Sequence, residues 1–281
     1  MRRSCGRCST RMRCAAATSA TWCRQIHVVY VVESLLHTFC FSHRHVLTGM
    51  TDRLRSAPLR VDFGGGWLDV PAYAVPGALI TNCAISPLVT LESWPYEKCG
   101  GLGGSAAYAL LKGRDSIQEE LRRAGWQDPA IILATGLCSW RSGPEPVLEA
   151  QFNPDFLRGL MAIQWSGQAH DTEDLKRRKR DYNLIACAGR EAYEGAKKRD
   201  PSQIAHAILT SYLVQRNEGM AKIVFGSATA AKYCGSGWGG YILYLFMDSV
   251  HRDAFAADNV NAKAVEPYLR SVNSSVLLFH E

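Results

Sequence analysis

The sequence predicts a soluble α+β protein, and three observations support this prediction. Apolar residues make up 47% of the 281 positions and charged residues 21%, which is ordinary for a globular chain with material for a core. Segments with the two-residue period of strands and segments with helical spacing are mixed along the chain. They do not alternate strictly as strand and helix, so α+β layering is favoured over a doubly wound sheet.

The first elements follow from local periodicity. Residues 59–63 alternate apolar and polar side chains and run into three glycines, which predicts a half-buried strand that enters a tight turn. Residues 79–85 and 88–91 predict two further short strands. Residues 106–121 combine good helix formers with apolar residues at helical spacing and predict a helix, interrupted at Gly113.

The second half of the chain continues the mixture. Residues 147–152 and 160–165 predict strands, and the heavily charged stretch 171–198 suits a helix with one buried stripe. A further helix begins at Pro201 and ends near Glu218. The remaining predictions are a strand at 241–246, helices at 252–260 and 264–269, and a last strand at 275–279.

Residues 1–49 differ in composition from everything that follows. They carry seven arginines and one acid, a net charge of +6. The whole chain also has a net charge of +6, so residues 50–281 have no net charge. The basic balance therefore predicts no nucleic-acid role for the body of the protein. We expect a non-globular leader, either upstream sequence read from a wrongly assigned start before Met50 or an organellar transit peptide.

Several classes are disfavoured. The apolar run 27–41 is interrupted by Glu33 and His37 and is too short to span a hydrocarbon core of about 30 Å, so we expect no membrane association. Cys5 and Cys8 form a CxxC without a second closely spaced ligand pair, which argues against a zinc site. The five cysteines of residues 50–281 have no regular spacing, as in a reducing compartment, and a cytoplasmic protein is expected unless residues 1–49 direct it to an organelle.

Three glycine-rich loops are the strongest local signals, at residues 64–66, 100–107 and 235–240. Consecutive glycines let backbone N–H groups converge on an anion, and a following helix adds its N-terminal partial charge. The middle loop, which precedes a helix, is therefore expected to bind phosphate. It has no lysine and is not a P-loop, and a dinucleotide fingerprint is weakened by Pro95 and Lys98, which spoil the preceding strand.

In their order along the chain these loops resemble the motifs of the GHMP kinases. Residues 57–71, APLRVDFGGGWLDVP, are similar to the first motif in its sugar-kinase form, closest to the heptose kinase and fucokinase branch. Residues 101–107, GLGGSAA, resemble the GLGSSAA nucleotide loop, and residues 234–240, CGSGWGG, resemble the third motif. The resemblance covers about four fifths of the chain.

The resemblance implies a fold and an activity. The N-terminal half, residues 50–155, would resemble ribosomal protein S5 domain 2, and the C-terminal half, residues 156–281, would be ferredoxin-like. The expected activity is phosphorylation of a hydroxyl of a heptose- or fucose-like sugar with ATP and Mg²⁺. Two alternatives stay open: a degenerate sugar- or nucleotide-binding homologue without catalysis, and a mevalonate- or homoserine-type kinase. The sequence does not set the oligomeric state.

The resemblance also assigns roles to residues. Ser105 stands where the family's second loop serine contacts Mg²⁺ and the triphosphate, whereas Gly104 replaces the first serine, so weaker phosphate contacts are expected. Asp128, in a segment that resembles the QDQ-type segment of the heptose kinases, is the candidate base, and Arg60 the cation beside the reacting hydroxyl. The residues expected to cradle ATP are Gly101, Leu102, Gly103, Gly104, Ser105 and Ala106.

Substrate contacts are expected mainly from the first and third motifs. Asp69 stands where sugar-binding members place a carboxylate that accepts hydrogen bonds from substrate hydroxyls. The other expected contacts are Gly65, Gly66, His170, Gly237 and Gly239.

Structural alternatives remain for each charged residue. Asp69 could cap a turn, Asp128 could be a helix N-cap, Arg60 could form a surface ion pair and His170 could lie in a solvated loop. Trp238 would stack on substrate or fill the domain interface. A second Mg²⁺ ligand is expected from Asp115, Glu119 or Glu120, and the short segment 92–100 leaves the adenine pocket open or built differently from that of larger members.

Overall fold

A computed structural model describes residues 54–113, 125–169 and 178–271. The predicted leader 1–49 and last strand 275–279 therefore lie outside the described residues, as do His170 and the three candidates for a second Mg²⁺ ligand. Within the described ranges, no helix is both long enough and apolar enough to cross a membrane. The five cysteines there are free thiols, of which Cys83, Cys138 and Cys234 are buried.

The described residues form eight strands that belong to one sheet. The strands are β1 Ala57–Gly64, β2 Leu79–Val89, β3 Leu137–Arg141, β4 Val147–Phe152, β5 Met161–Trp165, β6 Ala230–Tyr233, β7 Tyr241–Leu245 and β8 Ala262–Pro267. Their order in the sheet is β4-β3-β2-β8-β5-β7-β6, and β1 pairs with β2 outside this path. All of these pairs are antiparallel.

Five α-helices lie in the described ranges, which confirms the α+β prediction. They are α1 Gly104–Lys112, α2 Gln127–Ala134, α3 Tyr182–Lys198, α4 Pro201–Asn217 and α5 Ser249–Asp258, with single 3₁₀ turns at Pro71–Tyr73 and Pro154–Leu157. Asp181 and Asp200 cap α3 and α4 by accepting hydrogen bonds from backbone N–H groups in the first turn. These two helices pack against each other and against β1.

Strand β1 is buried along its whole length, so the prediction of a half-buried strand is wrong. The alternation of apolar and polar residues is real, but helices α1 to α4 all contact this strand and cover its polar side chains as well. Arg60 and Asp62 are each 3% exposed. Burial of two opposite charges on one strand requires partners from other elements, and these partners form the site described below.

The other differences have local causes. Strand β2 is continuous where two short strands were predicted, because Pro87 lies at an exposed position that the strand tolerates. The predicted helix 264–269 is wrong: residues 264–267 belong to β8, where Val265 and Pro267 are buried and the strand pairs with β5 and β2. Helix α1 begins at Gly104, slightly before the predicted start at Ala106, and ends at Lys112, before Gly113.

Three elements were not predicted from the sequence: strands β3 and β6 and helix α2. They are short apolar segments, in which periodicity gives no signal.

Candidate functional site

One cavity of about 700 Å³ is lined by residues of all three glycine-rich loops. Gly66 comes from the first loop, Gly100 to Ser105 from the second, and Gly235 and Ser236 from the third. A volume of this size is typical of small-molecule sites. Three segments that are far apart in sequence thus share one concave surface.

The middle loop forms one wall of the cavity and leads directly into helix α1. Gly103, with φ of 73°, is the N-cap residue, and the helix begins at Gly104. The first N–H groups of a helix have no partner within it, and the helix dipole makes this end electropositive. Ser105 is exposed and lines the cavity. We call residues Gly100 to Ser105, together with Trp94 and Tyr108 beside them, the loop wall.

Glycine is required at two contacts of this wall. A Cβ on Gly103 would lie 3.2 Å from Cγ of Arg60 and 3.3 Å from Cγ of Asp128. A Cβ on Gly235 would lie 2.8 Å from Cα of Gly101, which brings the third loop against the second. The absence of side chains therefore lets the middle loop touch both its neighbouring loop and two charged side chains.

Those charged side chains belong to a second surface, which we call the acidic wall: Arg60, Asp62, Asp69, Gln127 and Asp128. The Nε of Arg60 donates to Oδ1 of Asp128 over 2.6 Å, and its Nη1 donates to the carbonyl oxygen of Gly101 over 2.7 Å. Although burial opposes its charge, Asp128 and Asp62 raise the pKa of Arg60, so the guanidinium stays ionised. Arg60 thus ties the acidic wall to the loop wall, and it is not a surface ion pair.

Asp128 lies in the first turn of α2, whose N-cap residue is Trp126, so it is not the N-cap of that helix. Its side chain is 16% exposed and lines the cavity. The carboxylate is therefore held by Arg60 on one side while the cavity remains accessible to it. This is the arrangement that a positioned proton acceptor needs.

Asp69 is held by the residue beside Asp128. Its Oδ1 accepts from Nε2 of Gln127 over 2.9 Å, and its Oδ2 accepts from the Gln127 backbone N–H over 3.4 Å. Burial and the neighbouring Asp128 carboxylate raise the pKa of Asp69 to about 7. Asp69 is only 2% exposed yet lines the cavity, so near neutral pH it can accept or donate a hydrogen bond there.

Asp62 and Lys232 form a buried ion pair behind Arg60. The Nζ of Lys232, on β6, contacts Oδ2 of Asp62, whose Oδ1 lies 3.4 Å from Nη1 of Arg60. Burial works against ionisation of Asp62, but Lys232 and Arg60 together hold its pKa below the usual range. Sequence reasoning did not find this pair. The available signal was a lysine within the apolar run that precedes the third glycine loop.

Solved structures show the same fold. A D-glycero-D-manno-heptose 1-phosphate kinase from Bacteriodes thetaiotaomicron matches with a TM-score of 0.52 and 13% identity, over 77% of this chain and 99% of that one. Mevalonate kinase of L. major in complex with R-mevalonate matches at 0.54 and 15%, over 78% and 98%. Streptococcus pneumoniae phosphomevalonate kinase in complex with phosphomevalonate and AMPPNP matches at 0.53 and 12%, over 76% and 99%.

The chain has the GHMP kinase fold. This confirms the fold that the three motifs implied, while the division at residues 155 and 156 into two named halves stays a prediction. No family model matches the sequence, and no curated protein matches it significantly. The likeness therefore concerns the fold, and the chemistry has to be argued from the cavity.

Within the GHMP kinase fold, the remaining predicted contacts take different places. Gly65 lines a small neighbouring cavity beside Lys232 and Glu218. A Cβ on Gly237 would meet Met220 at 2.5 Å, and one on Gly239 would meet the carbonyl oxygen of Gln168 at 2.9 Å, so these two glycines face protein. Their roles in substrate binding stay predictions.

Two tryptophans of the first and third loops stack against arginines. The guanidinium of Arg180 lies 3.8 Å from the Trp67 ring centre, and that of Arg178 lies 3.8 Å from the Trp238 ring centre. Trp67 lines the main cavity, whereas Trp238 packs near Gly219. The short segment 92–100 supplies Trp94, Glu97, Lys98, Cys99 and Gly100 to the cavity and so forms part of its boundary.

Proposed function

We propose that this chain is an ATP-dependent kinase that phosphorylates a hydroxyl of a heptose- or fucose-like sugar. The observation that carries the proposal is the shared cavity, in which a glycine loop at a helix N-terminus faces a carboxylate held by a buried arginine. Phosphoryl transfer depends on positioning and electrostatic stabilisation, and this pair of walls supplies both.

The loop wall fits the triphosphate of ATP. Gly101 to Ala106 offer backbone N–H groups at an electropositive helix end, and glycine keeps side chains out of the cradle. The hydroxyl of Ser105 is a hard oxygen donor of the kind that Mg²⁺ prefers. Ser105 would therefore hold the Mg²⁺ that accompanies the nucleotide, and the candidates for a second ligand, Asp115, Glu119 and Glu120, lie outside the described residues. Trp94 and Tyr108 provide aromatic surface beside the loop for the base.

The acidic wall fits the acceptor hydroxyl. Bound ATP with Mg²⁺ would supply the phosphoryl group and neutralise part of its charge. Asp128 would accept the proton of the sugar hydroxyl as the hydroxyl oxygen forms a bond to the γ-phosphorus of ATP, while the bond from that phosphorus to the β,γ-bridging oxygen breaks and ADP leaves. Arg60 would hold Asp128 in place and, through Gly101, hold it at a fixed distance from the loop wall.

Charge favours a neutral acceptor over an anionic one. Two cations of the acidic wall and its support are already engaged: Arg60 with Asp128 and Asp62, and Lys232 with Asp62. Lys98 also lines the cavity, but in the segment that leads into the loop wall. In contrast, Oε1 of Gln127 is a buried acceptor that has no hydrogen-bond partner among the described residues. Acceptor atoms beside paired cations suit hydroxyl groups, which donate, better than the carboxylate of mevalonate or an amino acid.

The test is ATP consumption by the full-length chain with Mg²⁺ and a panel of heptoses, fucose, mannose, galactose, mevalonate and homoserine. We expect turnover with at least one sugar, loss of it in Asp128→Asn, and none of that loss in Asp258→Asn, which removes an exposed carboxylate on α5. Nucleotide binding without turnover on any acceptor would instead identify a binding protein. Faster turnover of mevalonate or homoserine than of every sugar would contradict the proposed substrate class.

A further inference from the structure

Two buried side chains take no direct part in the transfer proposed above. Asp62 on β1 and Lys232 on β6 are each 3% exposed and form an ion pair across 170 positions of sequence. Buried ion pairs lose much of their Coulomb energy to desolvation, so such a pair is weak evidence for a stabilising role. Its position beside Arg60, which holds the candidate base Asp128, points to another role.

The four charges of this region alternate in sign. Lys232 contacts Asp62, Asp62 contacts Arg60, and Arg60 contacts Asp128, so their formal charges cancel. The distances within this row are unequal: Arg60 Nε lies 2.6 Å from Asp128, whereas Arg60 Nη1 lies 3.4 Å from Asp62. Arg60 is therefore bound more closely to the carboxylate that faces the cavity than to the one that Lys232 also contacts.

Removal of Lys232 would change this balance. Asp62 would keep a single cationic neighbour, Arg60, and a buried carboxylate without compensation attracts the nearest cation strongly. The Arg60 guanidinium also donates to the carbonyl oxygen of Gly101, so a shift toward Asp62 would alter the loop wall and the acidic wall together. The backbone of Gly235 also lowers the pKa of Asp62, which connects the third loop to this pair.

We propose that Lys232 and Asp62 are positioning residues for the phosphoryl transfer, an inference that rests on the proposed function. Lys232 neutralises Asp62, so that Arg60 keeps Nε on Asp128 and Nη1 on the Gly101 carbonyl. Neither residue touches the reacting atoms; both act through Arg60.

The kinetic test uses four full-length variants: Lys232→Met, Asp62→Asn, the double variant that combines them, and Lys222→Met as an exposed control. We expect Lys232→Met to lower kcat about tenfold or more, with a smaller rise in the KM for ATP because Arg60 also holds the Gly101 carbonyl. The double variant removes both charges and should recover to within about threefold of the wild-type kcat. If Lys232→Met fails to fold, Lys232→Gln retains a hydrogen-bond donor for Asp62 and takes its place.

A role in packing alone predicts the opposite pattern. Each substitution would then lower kcat on its own, and the kcat of the double variant would be no higher than that of Lys232→Met. That result, or a wild-type kcat in Lys232→Met, would overturn the positioning role while leaving the kinase proposal intact.

A second readout needs no turnover. The Nε–Hε signal of Arg60, identified by its loss in Arg60→Lys, should exchange slowly with solvent in the wild type because this group is buried and donates to Asp128. We expect it to shift and lose protection in Lys232→Met and to return in the double variant. An unchanged signal in Lys232→Met would refute the proposal. If the spectra change as expected but no acceptor of the panel is phosphorylated, the Arg60 geometry is supported and the kinase function is rejected.

Discussion

The loop wall offers backbone to a ligand, whereas the acidic wall offers buried side chains whose charges are paired. The loop wall is built mainly from one continuous, glycine-rich segment, Gly100 to Ser105, at the start of α1. The acidic wall takes its members from β1, the loop after it and the start of α2, and its support from β6. A backbone cradle can bind phosphate of any nucleotide, but the chemistry and the choice of acceptor depend on groups that only tertiary structure brings together. The predictions below separate the two walls.

Asp128→Asn should break the acidic wall alone and have the largest effect. Asparagine retains an oxygen that can accept from Arg60 but does not take up the hydroxyl proton. We expect kcat to fall by about 10² to 10⁴ with sugar as acceptor, while the affinity for ATP changes little. Steady-state kinetics and nucleotide titration measure the two quantities. A kcat within tenfold of the wild type would remove Asp128 from the mechanism.

Gly103→Ala should damage both walls, because Gly103 lies where they touch. Alanine at its φ of 73° costs about 1 to 2 kcal/mol of stability, and the new methyl group would press on Arg60 and Asp128. We expect kcat/KM to fall by about tenfold to a hundredfold in addition to the loss of stability.

Gly77→Ala is the matched control for that variant. Gly77 has a similar φ of 76°, but a Cβ there would meet nothing within 4 Å. Urea unfolding should therefore show a lower free energy of unfolding in both variants, whereas kcat/KM with sugar should fall in Gly103→Ala alone. Equal kinetics in the two variants would show that contact between the walls is not needed.

Asp69→Asn tests the acidic wall through pH. Because the pKa of Asp69 rises to about 7 in the folded protein, the folded state holds its proton more tightly than the unfolded state, where the value is ordinary. The wild type therefore loses stability from this group as pH rises from about 4 to about 7, and nothing further above that window. Relative to wild type, Asp69→Asn should gain about 2 kcal/mol between pH 5 and pH 8.

Urea unfolding at the two pH values measures this gain, with Asp258→Asn as the exposed control. The same residue should affect acceptor binding: the ionised carboxylate accepts from sugar hydroxyls, so the KM for sugar should fall as pH rises through about 7. That pH dependence should be absent in Asp69→Asn. A wild-type stability that is flat between pH 5 and pH 8 relative to the variant would show that Asp69 is not protonated at neutral pH.

The contrast between the walls also explains what could be predicted from the sequence. The loop wall is local in sequence, so the segment GLGGSAA was enough to predict its glycines, its serine and the helix that follows. The order of the three motifs indicated the fold that the comparisons confirm. The acidic wall depends on pairs such as Arg60 with Asp128 and Asp62 with Lys232, which lie 68 and 170 positions apart. Alternation along β1 showed that Arg60 and Asp62 share a face, but it could not show that helices bury that face. For the same reason residues 264–269 were predicted as a helix, because the pairing with β5 and β2 that makes residues 264–267 a strand is not visible in the sequence.

Gly104→Ser restores the loop serine of the resembled motif and should have the smallest effect, in the favourable direction. A Cβ at Gly104 would meet Trp94 Cζ2 at 3.4 Å, which is an ordinary contact, and the residue is the first of helix α1, where serine is tolerated. The added hydroxyl would give the phosphates one more donor, worth about 0.5 to 1.5 kcal/mol, so ATP should bind about twofold to tenfold more tightly. Acceptor KM should stay the same, because the acidic wall is not touched. Tighter nucleotide binding together with unchanged sugar kinetics would show that the two walls act independently, whereas a change in acceptor KM would show that they are coupled through the Gly101 carbonyl and Arg60.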